Sequence, residues 1–523
     1  MEWPLDREHL LRMDQGIPRY ELIAKSIEHG IVTGRLRSGE RLPTVRQLAK
    51  QLGISATTAA AAYNVLNEKG WIRSEVGRGT FVTSPQIGGS FVAGNKGRSG
   101  GCGAGGSALV SDSSPKGSRP GGFPLVPWRR RALISSATRI RAAYPRVADC
   151  STGRPDPDLL PLSMLQCAWK ETIESTSHAD LQYAGPEPVE SLTKELLPRL
   201  IADNVPARPA DLVIGSSAQQ LMVLTLQVLA AASANSEATV AVENPGYPTI
   251  FDTYERAGYR LIGIDVDAFG AVPSSLDAAL REGAAAVLLT PRAHNPTGAS
   301  WSVERAATLA DVIAAHPGVV VIEDDHFAGI TTTRPGSLLA DPRIEDRVVY
   351  VRSFSKSIAP DLRIAVAAVR PRLRSLLAEA KSFADGWTSR FVQRTLARVL
   401  ADEELDVLLT AAARAYAERR TLAAHELHAA LAPLAGGAWS GADGVNIWVH
   451  LPSGLDSLHV IEQSASLGVL AAPGEPFFIR PGRGDVLRLN AGAVGADRAA
   501  EVGRILAKAA LTQAETTVHA IPV

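Results

Sequence analysis

The chain has 523 residues, 46% hydrophobic and 21% charged, with 54 basic side chains balancing 54 acidic ones. That length supports two or three domains with sizeable cores, and Cys102, Cys150 and Cys167 lack the spacing of a zinc site or a disulfide framework. No apolar run is long enough to span a bilayer and "MEWPLDREHLLRMDQ" has no signal-peptide layout, so the expectation is a soluble cytoplasmic protein with no membrane contact and no metal.

The zero net charge hides an asymmetry. Residues 1–150 carry 22 Lys+Arg against 11 Asp+Glu, and the remainder carries 32 against 43. A basic N-terminal third on an acidic body suits contact between that third and a polyanion.

In chain order, Tyr20, Ile23, Ile27 and Ile31 fall on one helical face, with Gly34 as the stop. "SGERLPTVRQLAKQLGISATTAAAAYNVLNEKGW" then predicts two further helices. Val45, Leu48, Ala49 and Leu52 mark the first, which ends at Gly53. Ser55 caps the second, which buries Ala59, Ala62, Tyr63 and Leu66 and stops before Gly70. Two short helices joined by the tight "LGIS" turn make a helix-turn-helix, and "WIRSEVGRGTFV" alternates toward a glycine-rich tip as a β-hairpin wing does.

Through "GERLPTVRQLA", "LGIS" and "GWI…GRGTFV", residues 17–84 resemble the winged-helix DNA-binding domain of the GntR regulator family. The resemblance implies double-stranded operator DNA as a partner. One departure stands out: Ala56 occupies the place after the capping serine where relatives commonly carry arginine, and alanine offers thymine only a methyl contact. Thr44, Arg46, Ser55, Thr57 and Thr58, with Arg78, Gly79 and Thr80 of the wing, are the candidate DNA contacts. Arg46 and the wing are expected to lean on phosphate and groove shape.

Residues 85–124 are dominated by Gly, Ser and Pro without hydrophobic periodicity, which predicts a flexible linker spanning roughly 35 Å. The cluster Arg129, Arg130, Arg131 follows. It reads as a solvated helix start, with contact to DNA phosphate as the alternative.

Beyond residue 150, short apolar runs each end in a polar cluster. "ATVAV" leads to "ENPGY", "AAVLLT" to "PRAHNPTG", "GVVVI" to "EDDHF" and "RVVYV" to "RSFSKS". Apolar strands separated by helices predict a parallel sheet covered on both faces, with all four clusters at its carboxyl edge, where ligands gather. A lysine between serines is by itself an ordinary loop, but Lys356 on that edge is desolvated toward nucleophilic amine chemistry. A lysine can form a Schiff base with an aldehyde, Asp324 can pair with a protonated ring nitrogen, and Tyr247 can cover a ring. Asn295 can donate to a phenolate. "GSSAQQ" can cradle a phosphate at a helix start, and Arg363 can add a charged contact to it. Together these groups describe pyridoxal 5'-phosphate.

Through "NPTG" (295–298), the acidic strand end (323–325) and "SFSKSIAPDLR" (353–363), residues from about 150 to 515 resemble the fold-type I aminotransferases. With the winged helix in front, the chain resembles a MocR-type regulator of the GntR family. The fold class expected is therefore multidomain. A mostly α winged helix-turn-helix precedes an α/β aminotransferase-like body over 125–515 with a mainly parallel sheet, its large domain about 175–370 and its small domain from about 371.

The resemblance implies that Lys356 forms the Schiff base with the cofactor, Asp324 holds the pyridine nitrogen, Tyr247 stacks on the ring and Asn295 bonds the phenolic oxygen. It also implies that Ser217, Ala218, Gln219, Ser353, Ser355 and Arg363 surround the phosphate, and that Arg488 in "VLRLNAG" grips a ligand carboxylate. His326 stands where relatives commonly have tyrosine. Its imidazole can still donate, with a charge that depends on pH near neutrality. His294 reads as a structural neighbour of Asn295.

Two functions fit these residues. One is a transcription factor responding to an amino compound or to pyridoxal phosphate. The resemblance implies a homodimer, each head reaching its partner's body in a domain-swapped arrangement. The other is a working aminotransferase with a DNA-binding head. A third, that the cofactor is not retained and the body serves only dimerisation, sits poorly with an intact lysine, aspartate and phosphate cup.

Overall fold

A computed structural model describes residues 18–32, 36, 40–68, 71–75, 79–82, 128–232, 238–334 and 336–519. The chain divides into two compact units, residues 1–116 and 117–523. Gly34, Gly70, Arg78 and the expected linker at 85–124 lie outside the described residues.

In the first unit, helix α1 (Arg19–Val32) is followed by strand β1 (Arg41–Leu42), helices α2 (Val45–Leu52) and α3 (Ala56–Glu68), and strands β2 (Ile72–Glu75) and β3 (Gly79–Val82). The apolar spacing translates directly into the core: Ile23, Ile27, Leu48, Ala59, Ala62 and Leu66 are fully buried. Small alanines on α3 let it approach its neighbours closely. Thr44 starts α2 with a capping box closed by Gln47, and Gly53 ends it in the left-handed region at φ 64°. Ser55 Oγ accepts from Thr58 N at 3.0 Å, so the predicted cap of α3 is present. The hairpin β2–β3 gains a strand that the sequence pattern does not announce, because β1 pairs with β3 through Arg41–Phe81 and Leu42–Thr80.

The second unit begins with α4 (Trp128–Ala143), β4 (Ala148–Asp149), α5 (Leu162–Ser175) and α6 (Glu190–Ala202). Then come β5 (Leu212–Gly215), α7 (Ala218–Ala232), β6 (Thr239–Glu243), α8 (Pro248–Arg256), β7 (Arg260–Ile264), β8 (Val266–Asp267) and β9 (Gly270–Ala271). Next are α9 (Pro273–Arg281), β10 (Ala286–Leu289), α10 (Val303–Ala314), β11 (Val320–Asp325), β12 (Val348–Ser353) and β13 (Ala365–Val369). Helices α11 (Pro371–Ala384), α12 (Arg390–Ala401) and α13 (Leu405–Leu431) lead into β14 (Gly437–Trp439) and β15 (Asn446–His450). The chain continues through α14 (Ser457–Ser466), β16 (Val469–Leu470), β17 (Ala472–Pro473), β18 (Val486–Asn490) and α15 (Ala496–His519).

Seven strands form one sheet in the order β5-β13-β12-β11-β10-β6-β7. Strands β10, β11, β12, β6 and β7 pair in parallel, whereas β13 runs antiparallel to both β12 and β5. The sheet is thus mainly parallel with one reversed strand. Every residue of β5, β6 and β10–β13 is buried, which is why these strands carry continuous apolar runs, with β6, β11 and β12 ending on polar residues. A second, antiparallel sheet, β14-β15-β18-β17, packs with α13 and α15. Strand β4 pairs with β16, and Ala137, Ile140 and Cys150 share a core with Leu427, Val502 and Leu506. Residues 128–150, unassigned between large and small domain by the sequence, thus reach from α8, which Arg129 and Arg130 contact, to the C-terminal core that Ala137, Ile140 and Cys150 enter.

The arginine cluster needs correction. Residues 129–131 do open a helix, and Arg130 and Arg131 are exposed, but Arg129 is 0% exposed. Its planar fork is satisfied by carboxylates and carbonyls, so it is not a solvated residue and is not available to DNA phosphate. Among the described residues no helix is long and apolar enough to cross a membrane.

Candidate functional site

Parallel strands release their chains at one edge, and the polar clusters meet there around a cavity of about 660 Å³. Strand β5 ends at Gly215 and α7 begins at Ala218, which sets Ser217, Ala218 and Gln219 in the cavity wall at a helix N-terminus. Strand β6 delivers Tyr247, β10 delivers Asn295, and β11 delivers Asp324 and His326. Strand β12 delivers Ser353, Ser355 and Lys356, and all of these line the cavity. Arg363 and Arg488 complete the twelve predicted ligand-site residues, and the fold brings every one of them to this space.

The amine of Lys356 donates to Gly153 O. The cavity reaches this half-buried side chain, yet burial together with the Arg488 charge lowers its pKa to about 8, against the pull of Asp324. Asp324 is buried, and burial raises its pKa against the opposing charges of His326 and Lys356. Among the described residues its Oδ1 has no hydrogen-bond partner. His326 Nδ1 lies 3.6 Å from Asp324 Oδ2, so this imidazole sits beside the aspartate carboxylate.

Arg488 in β18 is buried and donates from Nη1 to Asn295 Oδ1 at 3.0 Å and from Nη2 to Ser151 O at 2.6 Å. Burial pushes its pKa down to about 10. It also lies over the Phe477 ring, 4.8 Å from the centroid. Arg363 is held in the left-handed region at φ 50°, ψ 59°, a conformation that costs a non-glycine residue about 1–3 kcal/mol. It is exposed and has no ion-pair partner among the described residues.

Two neighbours support the loop that carries Asn295. His294 is buried away from the cavity, with Nδ1 2.8 Å from Thr297 Oγ1, and burial lowers its pKa to about 3. That is the structural place its sequence context suggests. Gly298 sits at φ 73°, and a Cβ on Gly441 would lie 2.0 Å from the Gly298 carbonyl carbon, so only glycine admits this contact. Asp443 fixes it by accepting from Ser300 Oγ at 2.9 Å and Thr332 N at 2.7 Å.

Several contributors to the site carry no clear signal in the sequence. Ser151 and Gly153 act through backbone carbonyls that meet Arg488 and Lys356, and Asn490 holds their segment by donating to Thr152 O at 2.6 Å. Backbone acceptors leave no side-chain signature. Leu133, Ala137 and Arg141 of α4 and Phe477 also line the cavity. Only the apolar spacing of α4 could have suggested that it packs on something.

In the first unit, Thr44, Arg46, Ser55 and Thr57 are exposed and Thr58 is half-buried. The hydroxyls of Ser55 and Thr58 lie 2.7 Å apart and serve the start of α3, and that of Thr44 serves the start of α2. Gly79 and Thr80 are half-buried in β3, with Gly79 at φ 119° and a would-be Cβ 2.7 Å from Arg41 Nε. Arg78 lies outside the described residues.

Residues 153–499 match the family model of class I and II aminotransferases, and residues 19–82 match that of bacterial regulatory proteins of the gntR family. The chain is 31% identical over 456 residues to the vitamin B6 salvage pathway transcriptional repressor PtsJ of Salmonella typhimurium, covering 87% of this chain and 90% of that protein. It is 28% identical to the HTH-type transcriptional regulator TauR of Rhodobacter capsulatus, covering 91% and 93%. The crystal structure of the α-aminoadipate aminotransferase LysN of Thermus thermophilus, complexed with N-(5'-phosphopyridoxyl)-L-leucine, is similar over 73% of this chain and 98% of its own. Its TM-score is 0.63 and its identity 25%.

Proposed function

The chain belongs to the class I and II aminotransferase family and, with its gntR-family domain in front, is a MocR-type transcriptional regulator; from that premise we propose that the Lys356 cavity holds pyridoxal 5'-phosphate and senses an amino compound or the cofactor itself. The observation that carries this reading is the buried Asp324 Oδ1, unpartnered among the described residues, in the same cavity as a lysine whose pKa is lowered to about 8. A buried carboxylate oxygen without a donor is costly, and a protonated ring nitrogen is the donor that would satisfy it.

The rest of the wall fits the same group. Ser217, Ala218 and Gln219 at the α7 N-terminus, Ser353, Ser355 and Arg363 would hold a phosphate. Tyr247 would cover the ring and Asn295, already held by Arg488, would face the phenolic oxygen. When bound, the cofactor supplies an aldehyde that condenses with amines and a pyridinium ring that withdraws electrons. Lys356 Nζ serves as nucleophile and as carrier of a proton, which its lowered pKa suits at pH near 8. His326 lies beside the Asp324 carboxylate, and a charge on its ring favours the ionised form of that carboxylate.

Arg363→Ala removes the arginine proposed for the phosphate. A charge-assisted hydrogen bond contributes about 1.5–3 kcal/mol, so the dissociation constant for pyridoxal phosphate should rise roughly 10- to 150-fold. Equilibrium dialysis measures it, and pyridoxal without its phosphate should bind the variant and the wild type alike.

The reading implies that a homodimer presents two winged helices to an operator, and that the ligand prefers one arrangement of them. The decisive test follows the visible spectrum of cofactor-loaded protein through a panel of amino acids and amines. A shift that persists with one ligand, without keto acid, is the expected result. Bleaching with keto acid accumulation would instead identify a working transaminase, which the similarity to the 2-aminoadipate transaminase of Thermus thermophilus, 27% identical, keeps in view. Absence of any visible band would overturn the cofactor assignment.

A further inference from the structure

Arg129 is a fully buried guanidinium that the chemistry of the cavity does not use. It lies in the first turn of α4, the first described element after the winged helix. Its Nη1 donates to Asp252 Oδ1 at 3.0 Å and to Glu255 Oε2 at 2.6 Å, and its Nη2 donates to Glu255 Oε1 at 3.1 Å. Both carboxylates belong to α8. Its Nε donates to Phe478 O at 3.0 Å, its Nη2 also to Ile479 O, and the next residue repeats the link through Arg130 N and Asp252 Oδ2 at 2.9 Å. Phe251 lies beneath the guanidinium, 5.5 Å from ring centroid to Cζ.

Each anchored element reaches the ligand cavity. Helix α8 begins directly after Tyr247. The Phe478–Ile479 segment follows Phe477, whose ring lies under Arg488 and whose carbonyl accepts from Gly246 N at 2.8 Å. Helix α4 itself presents Leu133, Ala137 and Arg141 to the cavity one to three turns after Arg129. One arginine thus joins three of the walls that a ligand would touch.

We infer that Arg129 is a positioning residue that locks α4 as a wall of the ligand cavity, so that cavity occupancy bears on the chain leading back to the DNA-binding unit. The inference rests on the ligand-responsive reading and names the element that carries the response. A latch of this kind works only if α4 is held differently with the cavity filled and empty, because a ligand indifferent to the two arrangements shifts neither.

The test uses the full-length protein and a duplex that it selects from a random pool, with pyridoxal phosphate, added to saturation, as the probe. In the wild type, saturation should change DNA affinity by about fivefold or more, the lower range of ordinary couplings. In Arg129→Met, cofactor-free DNA affinity should stay within about twofold of wild type while the change on saturation collapses toward one. Glu255→Gln removes one charge of the latch at a partly exposed position and should give an intermediate ratio. It decides the question if Arg129→Met fails to fold. An undiminished ratio in the variants that fold overturns the latch. If the wild type shows no ratio at all, the ligand-responsive reading fails by itself. Hydrogen exchange over residues 128–143 then judges the latch: slowing by pyridoxal phosphate in the wild type that is weaker in the variants supports it, and equal slowing or none overturns it.

Discussion

Lys356→Met should make the cofactor-free protein more stable at pH 7 by about 3 kcal/mol while abolishing covalent retention of pyridoxal phosphate. The two effects have one cause. Lys356 sits where burial and the Arg488 charge lower its pKa from 10.5 to about 8. Below pH 8 the amine is protonated in both folded and unfolded chains, and the folded state bears the full cost of a desolvated ammonium. Between about pH 8 and 10.5 the folded chain releases its proton first, the unfolded state binds more protons, and stability rises with pH. Methionine, of similar length and uncharged, removes that cost, so its advantage should be complete below pH 8 and fade to nothing above pH 10.5. Each tenfold shift in proton affinity corresponds to about 1.4 kcal/mol, which gives the magnitude. Denaturant melts of both proteins across pH 6 to 11 measure it. Mass spectrometry after borohydride reduction should find a pyridoxyl adduct on Lys356 in the wild type and none in the variant. A variant less stable than wild type at pH 7 would mean that the lysine is placed for structure.

This opposition between stability and site chemistry explains how much was legible in the sequence. The cavity could be read because each of its side chains follows an apolar strand that ends abruptly, and parallel strands end on one side. "RVVYV" before "RSFSKS" reads as an ordinary loop taken alone, and it is the convergence of four such strand ends on one edge that singles out Lys356. The direction of β13 could not be read, because "IAVAAV" is equally apolar whichever way it runs. The burial of Arg129 is hidden for a related reason. Three consecutive arginines look alike, and burial of the first depends on Asp252 and Glu255, more than a hundred residues away. The wall formed by Ser151 and Gly153 stays hidden because carbonyl oxygens are common to all residues. Strand β1 has only two residues, too few to show a period.

Arg488→Gln should cost carboxylate-bearing amino compounds roughly 30-fold to several-thousand-fold in affinity, the 2–5 kcal/mol expected when one member of a buried charge pair is lost. The matching amines without a carboxylate should change little, and cofactor retention should survive. The geometry sets this expectation. Arg488 is anchored by Asn295 Oδ1 and Ser151 O, its Nε is buried without a partner among the described residues, and its pKa is already pushed down to about 10 by burial. An arginine so held keeps N–H donors beyond the two already used, which an incoming acceptor in the cavity can take up. The same substitution should act on Lys356, because the Arg488 charge is the second cause of its lowered pKa. With glutamine in place the lysine pKa should move up from about 8, and the pH at which cofactor-free protein captures pyridoxal phosphate half-maximally should rise with it. Spectral titration with paired amino acids and amines reads the first effect, and capture rates from pH 6 to 10 read the second. A variant that keeps its preference for the carboxylate and its capture profile would reduce Arg488 to a brace for Asn295 and leave the ligand's carboxylate to another cation, with Arg141 the next to examine on the cavity wall.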